Sequence, residues 1–222
     1  MSTASAAPAD VPMWKHKLLT MAAFYKDCHH EGNMDKFFEV YPAAQSLQAQ
    51  VLALSDPSSP PEAMSVAEAP EPSGLPADTT EALKKVGGGM ITEHQEGSDE
   101  MKGLTDQLKQ DPKPNKDSWK DKINKKREEL KKKSAQIIDE KTDSAIAVIE
   151  KLPESQRDTA ADFWGNIASG FLKFWDTIWT WLQNVWQAVV QWFSEMWEKI
   201  KQGFQEVGKA FVSAWNWLKS LF

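Results

Sequence analysis

Through the C-terminal third of the chain, apolar residues recur every eleven positions in four columns, and this repeat limits the possible folds more than any other feature. Trp164, Trp175, Trp186 and Trp197 form the first column, and Ile167, Ile178, Val189, Ile200, Phe211 and Phe222 the second. Phe171, Leu182, Phe193, Phe204 and Trp215 form the third, and Phe174, Val185, Met196, Val207 and Leu218 the fourth. All twenty of these positions are apolar. Eleven residues complete three helical turns at about 3.67 residues per turn, so the columns stay on one stripe of a nearly straight helix.

With Trp181 and Trp192 at one border and Trp179 and Val190 at the other, the stripe covers roughly 160° of the helix circumference. The opposite arc collects Asp176, Thr177, Gln187, Glu195, Glu198, Lys199, Glu206 and Lys209. An unbroken helix over this region would run about 90 Å at about 1.5 Å per residue. Burying each large side chain is worth roughly 1.5–3 kcal/mol, so the gross drive to cover the stripe amounts to tens of kcal/mol.

Three coverings satisfy that drive. The helix can break near Gly203 or Gly208 and fold onto itself or onto an N-terminal helical hairpin and a helix over 119–152. A second copy can cover it, since an eleven-residue period also drives a right-handed supercoil, although coiled-coil seams are narrower and prefer aliphatic side chains. A lipid surface is the third. A wide apolar arc facing mixed charges suits a helix lying in a bilayer or droplet monolayer, and indoles favour that depth because their N–H still finds a polar partner. The expectation is therefore an all-α, largely elongated protein with a long Trp-rich amphipathic C-terminal helix that binds a lipid surface without catalysing a reaction, with the twenty column residues as its lipid-binding set.

Residues 157–222 carry six basic and six acidic side chains, so apolar burial rather than anionic headgroups should drive attachment. The cluster KKREELKKK at 125–133 reads first as a solvated helix face and second as an added electrostatic contact. Thr177 to Ser194 lacks charge and is near the minimum for a span, but Gln183, Asn184, Gln187 and Gln191 interrupt it. Several such helices around a polar pore would make a membrane-permeabilising toxin.

The rest of the chain is poorer in apolar material. Counting Val, Ile, Leu, Met, Phe, Trp and Tyr, residues 157–222 hold 29 and the preceding 156 residues only 37. Residues 1–55 read as a helical hairpin, with Met13, Trp14, Leu18, Met21, Phe24 and Tyr25 on one helix and Phe37, Phe38, Tyr41, Leu47, Val51 and Leu54 on the next. Gly32–Asn33 forms the turn and Pro42 kinks or delays the second helix.

Residues 56–117 read as an acidic Pro/Gly-rich linker, mostly disordered. Its second half, 79–110, is interrupted by Gly87–Gly89, Gly97 and Gly103, and is expected to form weak helix at best. Residues 118–153 read as a charged helix, capped by Asp117 or Ser118, running from Trp119 to about Leu152 and ended or bent by Pro153.

No catalytic constellation stands out, and no cofactor, metal or nucleic-acid partner is expected. Cys28–His29–His30 would splay around a helix, and no HExxH or CxxC accompanies it. VGGGM at 86–90 lacks the GK[ST] ending of a phosphate loop. The single cysteine rules out an intramolecular disulfide framework, and the N-terminus lacks the early positive charge of a signal peptide. A cytoplasmic protein peripheral to a membrane or droplet is expected, with leaderless secretion left open, and with an unidentified protein partner for the N-terminal hairpin.

The eleven-residue periodicity over 164–222 resembles the repeat helices of perilipins and exchangeable apolipoproteins, which implies reversible surface binding by a long helix. The wording FWGNIASGF and FWDTIW also resembles Trp/Phe repeats of phage tail tape-measure proteins, which implies a structural protein whose stripe packs against other subunits.

Overall fold

In the computed structural model, residues 11–41, 74–111, 115–191 and 197–221 are described, those at 116, 188–191 and 197–199 by backbone alone. Every element among them is an α-helix, as the periodicity requires: α1 (Met13–Glu31), α2 (Met34–Val40), α3 (Ala77–Gln110), α4 (Lys116–Ile149), α5 (Glu154–Gln191) and α6 (Trp197–Ser220).

The N-terminal turn falls where expected. Gly32 ends α1 at φ 72°, in the left-handed region that glycine enters without steric cost. Asn33 N–H then donates back to the Cys28 carbonyl at 2.9 Å. The second helix closes at Val40, with Phe37 stacked on Tyr41 and both rings tilted against Phe24 of α1. Leu47, Val51 and Leu54, Pro42 and the linker to residue 73 lie outside the described residues.

Residues 77–110 depart from expectation, forming a 34-residue helix where weak helix was expected. Glycine costs a helix about 1 kcal/mol relative to alanine, but here it allows close approach. A Cβ at Gly87 would stand 3.2 Å from Leu218 Cδ1 and 3.3 Å from Ile167 Cγ2, and one at Gly88 only 2.5 Å from Trp215 Cη2. Gly97 is held as tightly, with Leu130 Cδ2 at 3.2 Å from such a Cβ. Tertiary packing outweighs local propensity at these positions.

The fourth helix begins three residues earlier than read and ends at Ile149. Its cap is Asn115, whose side-chain oxygen accepts the Ser118 N–H at 3.0 Å, rather than Asp117 or Ser118. Trp119 braces the same end by donating its indole N–H to Asp111 at 2.8 Å. Pro153 does separate α4 from α5, and Arg157 reaches back to the Leu152 and Glu150 carbonyls at 2.9 and 3.1 Å.

The repeat region is two helices rather than one rod of about 90 Å. Phe174 meets Phe211 at 5.2 Å between ring centroids, and Trp181 meets Phe204 at 4.9 Å. Partners advance by seven residues on α5 as they retreat by seven on α6, so the two pack antiparallel. The first of the two ends at Gln191 and the second begins at Trp197, ahead of Gly203 and Gly208. Gly203 instead sits inside its helix, where the Trp181 indole leaves no room for a Cβ.

Three further helices close around this hairpin. α3 runs parallel to α5, its His94 against Trp175 and Met101 against Trp186. α4 runs antiparallel to α3, with Glu93–Lys141 and Glu100–Lys126 ion pairs along the seam. α1 lies antiparallel to α4 through Lys15–Glu150 and Lys26–Asp139, and parallel to α5 through Lys17–Asp162. α5 is thus the central helix, touching α1, α3, α4 and α6.

Candidate functional site

Of the twenty column residues, fourteen are buried: Trp164, Ile167, Phe171, Phe174, Trp175, Ile178, Leu182, Val185, Trp186, Ile200, Phe204, Val207, Phe211 and Leu218. Trp215 is partly buried against them. Val189, Phe193, Met196, Trp197 and Phe222 lie outside the described side chains. The border residues Trp179 and Trp181 are buried too, which widens the covered arc of α5 beyond the columns.

In this conformation the stripe faces protein. Its cover is an unusual match for so apolar a face. The buried side of α3 reads Thr79, Leu83, Gly87, Gly88, Met90, Ile91, His94, Gly97, Ser98, Met101, Thr105 and Leu108. These residues follow three- and four-residue steps, but seven of the twelve are small or polar. A search for large apolar residues passes over such a face, whereas a periodicity test that admits Gly, Ser and Thr would have found it.

Tryptophan stands differently in this core from the aliphatic residues beside it. The Trp186 indole donates its N–H to Met101 Sδ at 2.8 Å. The indole nitrogens of Trp164, Trp175 and Trp217 are buried with no hydrogen-bond partner. A buried donor left without a partner costs about 1–3 kcal/mol.

Two histidines enter the same seam. His94 is 1% exposed, and its Nδ1 lies 2.8 Å from the Met90 carbonyl while its Nε2 lies 3.0 Å from Ser134 Oγ. A carbonyl only accepts, so Nδ1 carries the proton and Nε2 accepts from the Ser134 hydroxyl. Its ring also sits 4.5 Å from Trp175 and 5.1 Å from Phe171. Burial lowers its pKa to about 3. His29 stacks on Tyr25 at 5.6 Å and tilts against Trp179 at 5.1 Å. Burial, then Lys131 and His30, lower its pKa to about 4.

On the far side of α5, Asp176 is partly buried beside Lys173 and Asp35, and burial raises its carboxyl to about 6. Burial first, then the Asp176 charge, pushes the Tyr25 hydroxyl well above its ordinary value. Lys173 also lies over the Phe38 ring at 4.0 Å, holding α2 onto α5. Cys28 is buried, and among the described residues no group of three His, Cys, Asp or Glu side chains is placed to hold a metal ion. No described helix is long and apolar enough to cross a membrane. Among known protein families, curated proteins and solved structures, none matches this chain.

Proposed function

We propose that this is a non-enzymatic lipid-surface binding protein that stores its tryptophan face inside a helical bundle and lays it on a membrane or droplet monolayer when the bundle opens. The observation that carries this reading is the set of partnerless indole N–H groups at Trp164, Trp175 and Trp217. A core alone would be served as well by leucine or isoleucine, which bury area without stranding a donor. At a lipid interface the same rings stay in apolar surroundings while their N–H groups reach water or headgroup oxygens. Binding in the plane of the surface also fits helices that are amphipathic rather than apolar all round.

Closed and open states then compete over the same apolar face, and the weakly apolar inner side of α3 keeps that competition close. Attachment should be driven by apolar area, because the charges over 157–222 balance.

The test uses the full chain with phosphatidylcholine vesicles containing brominated acyl chains, which quench indoles lying among them. Quenching together with co-flotation, both persisting in high salt, is the expected result. Vesicles loaded with a dye separate coating from permeabilisation. Absence of quenching at every lipid concentration, with a concentration-dependent oligomer in buffer, would overturn the lipid reading in favour of assembly through the stripe.

A further inference from the structure

The four histidines of the chain divide sharply. His16 and His30 are exposed, whereas His29 and His94 are buried in the seam between the cover helices and the tryptophan face of α5. His94 joins three helices: its own α3, Ser134 of α4, and Trp175 and Phe171 of α5. His29 joins α1 to Trp179 of α5, and Trp179 in turn meets Trp186 edge to face at 5.2 Å.

Both rings sit where a second proton is unwelcome. The charges acting on His94 come from Lys133 and Lys141 on α4 and from His29 on α1, and the nearest ring contacts from α5 are neutral aromatics. Glu93, its neighbour on α3, is already engaged by Lys141. Lys131 on α4 and His30 on its own helix act on His29, whose Nε2 has no hydrogen-bond partner. A proton added to His94 therefore places a cation in an apolar seam beside other cations, and one added to His29 places it between Tyr25, Trp179 and a cavity where Lys26, Lys131 and Lys132 outnumber the acids Asp27 and Glu128.

We propose that His94 and His29 form an acid-sensitive latch, and that their protonation frees the tryptophan face of α5 from its cover helices so that lipid binding begins on acidification. The latch rests on the lipid-surface reading for its purpose, but its effect on stability stands apart from lipid. Its sign follows from linkage. Both imidazoles have folded pKa values below the ordinary 6.5, at about 3 and about 4. Their contribution is complete above pH 6.5 and falls roughly tenfold per pH unit for each histidine below it. Asp176, at about 6 in the fold, works the other way between pH 6 and its ordinary value and offsets part of the loss. Together these shifts lower the folding equilibrium constant on the order of a hundredfold between pH 7 and 4.5.

The experiment follows urea unfolding of the full chain from pH 7.5 to 4.5 without lipid, and vesicle flotation over the same range. Wild type is compared with a His94→Asn/His29→Gln double variant and with the surface control His16→Gln. The wild type and the surface control should lose about a hundredfold in folding constant and gain vesicle binding in the same interval, while the double variant loses neither stability nor closure. A fall retained by the double variant, or equal binding at pH 7.5 and 4.5, overturns the latch. A fall in stability with no vesicle binding at any pH overturns the lipid reading and leaves the latch as a stability device. Proton NMR of the wild type decides the matter if the variant does not fold: two imidazoles should stay neutral to below pH 5, and four titrating near pH 6.5 would overturn the proposal.

Discussion

Trp181 and Phe204 meet edge to face across the α5–α6 hairpin, 4.9 Å between centroids at 88°, and the same indole fills the space above Gly203. A Cβ there would overlap the ring, so Gly203→Ala has to push two helices apart. Overpacking of this kind costs about 1–3 kcal/mol, more than the helix propensity gained by about 1 kcal/mol. Gly208, on the same helix, has nothing within 4 Å of an added Cβ, and Gly208→Ala should stabilise by about 0.5–1 kcal/mol. Urea midpoints of the two variants should move in opposite directions. Equal shifts would mean that α5 and α6 do not pack as described.

Trp164 and Trp186 are both buried, but only Trp186 has a partner for its N–H. Replacement by phenylalanine removes a similar ring volume at each position. At Trp164 it also removes a stranded donor, and at Trp186 it breaks the contact with Met101. Trp164→Phe should therefore be closer to wild type than Trp186→Phe by about 1–2 kcal/mol in urea unfolding. On vesicles, where every indole N–H finds a partner, the two variants should lose affinity alike. A Trp164→Phe variant that is the less stable of the two would remove the main support for a second environment.

Asp176 is held with a raised carboxyl pKa, so its ionised form opposes folding at neutral pH. The folded value of about 6 against an ordinary 3.8 means that the cost is complete above pH 6 and relieved as the group protonates below it. Asp176→Asn should raise stability at pH 7.5 by about 1–3 kcal/mol, leave it little changed at pH 3.5, and steepen the acid loss caused by the histidines. Unfolding curves at those two pH values check the sign. A variant less stable than wild type at pH 7.5 would mean that the Lys173 charge, not burial, dominates the site.

The helical character of the chain, the turn at Gly32, the break at Pro153 and the width of the apolar stripe were all legible in the sequence, because each depends on residues within a few turns of one another. The α3 helix was not. Gly87, Gly88 and Gly97 argue locally against helix and favour it only once Ile167, Leu218, Trp215 and Leu130 are in place around them. His94 was passed over for a similar reason, since a lone histidine among glycines and acids has no local signature of burial, and its partners Ser134 and Trp175 lie 40 and 81 residues away.

Periodicity alone determined that one face of residues 164–222 is apolar over its whole length and has to be covered, since that follows from the angle between successive residues and the area of their side chains. What covers it was decided by tertiary structure. Self-pairing of α5 with α6 and the small-residue side of α3 depend on which distant faces fit at close range, and complementarity of shape between distant segments is a property of pairs that no single stretch of sequence carries.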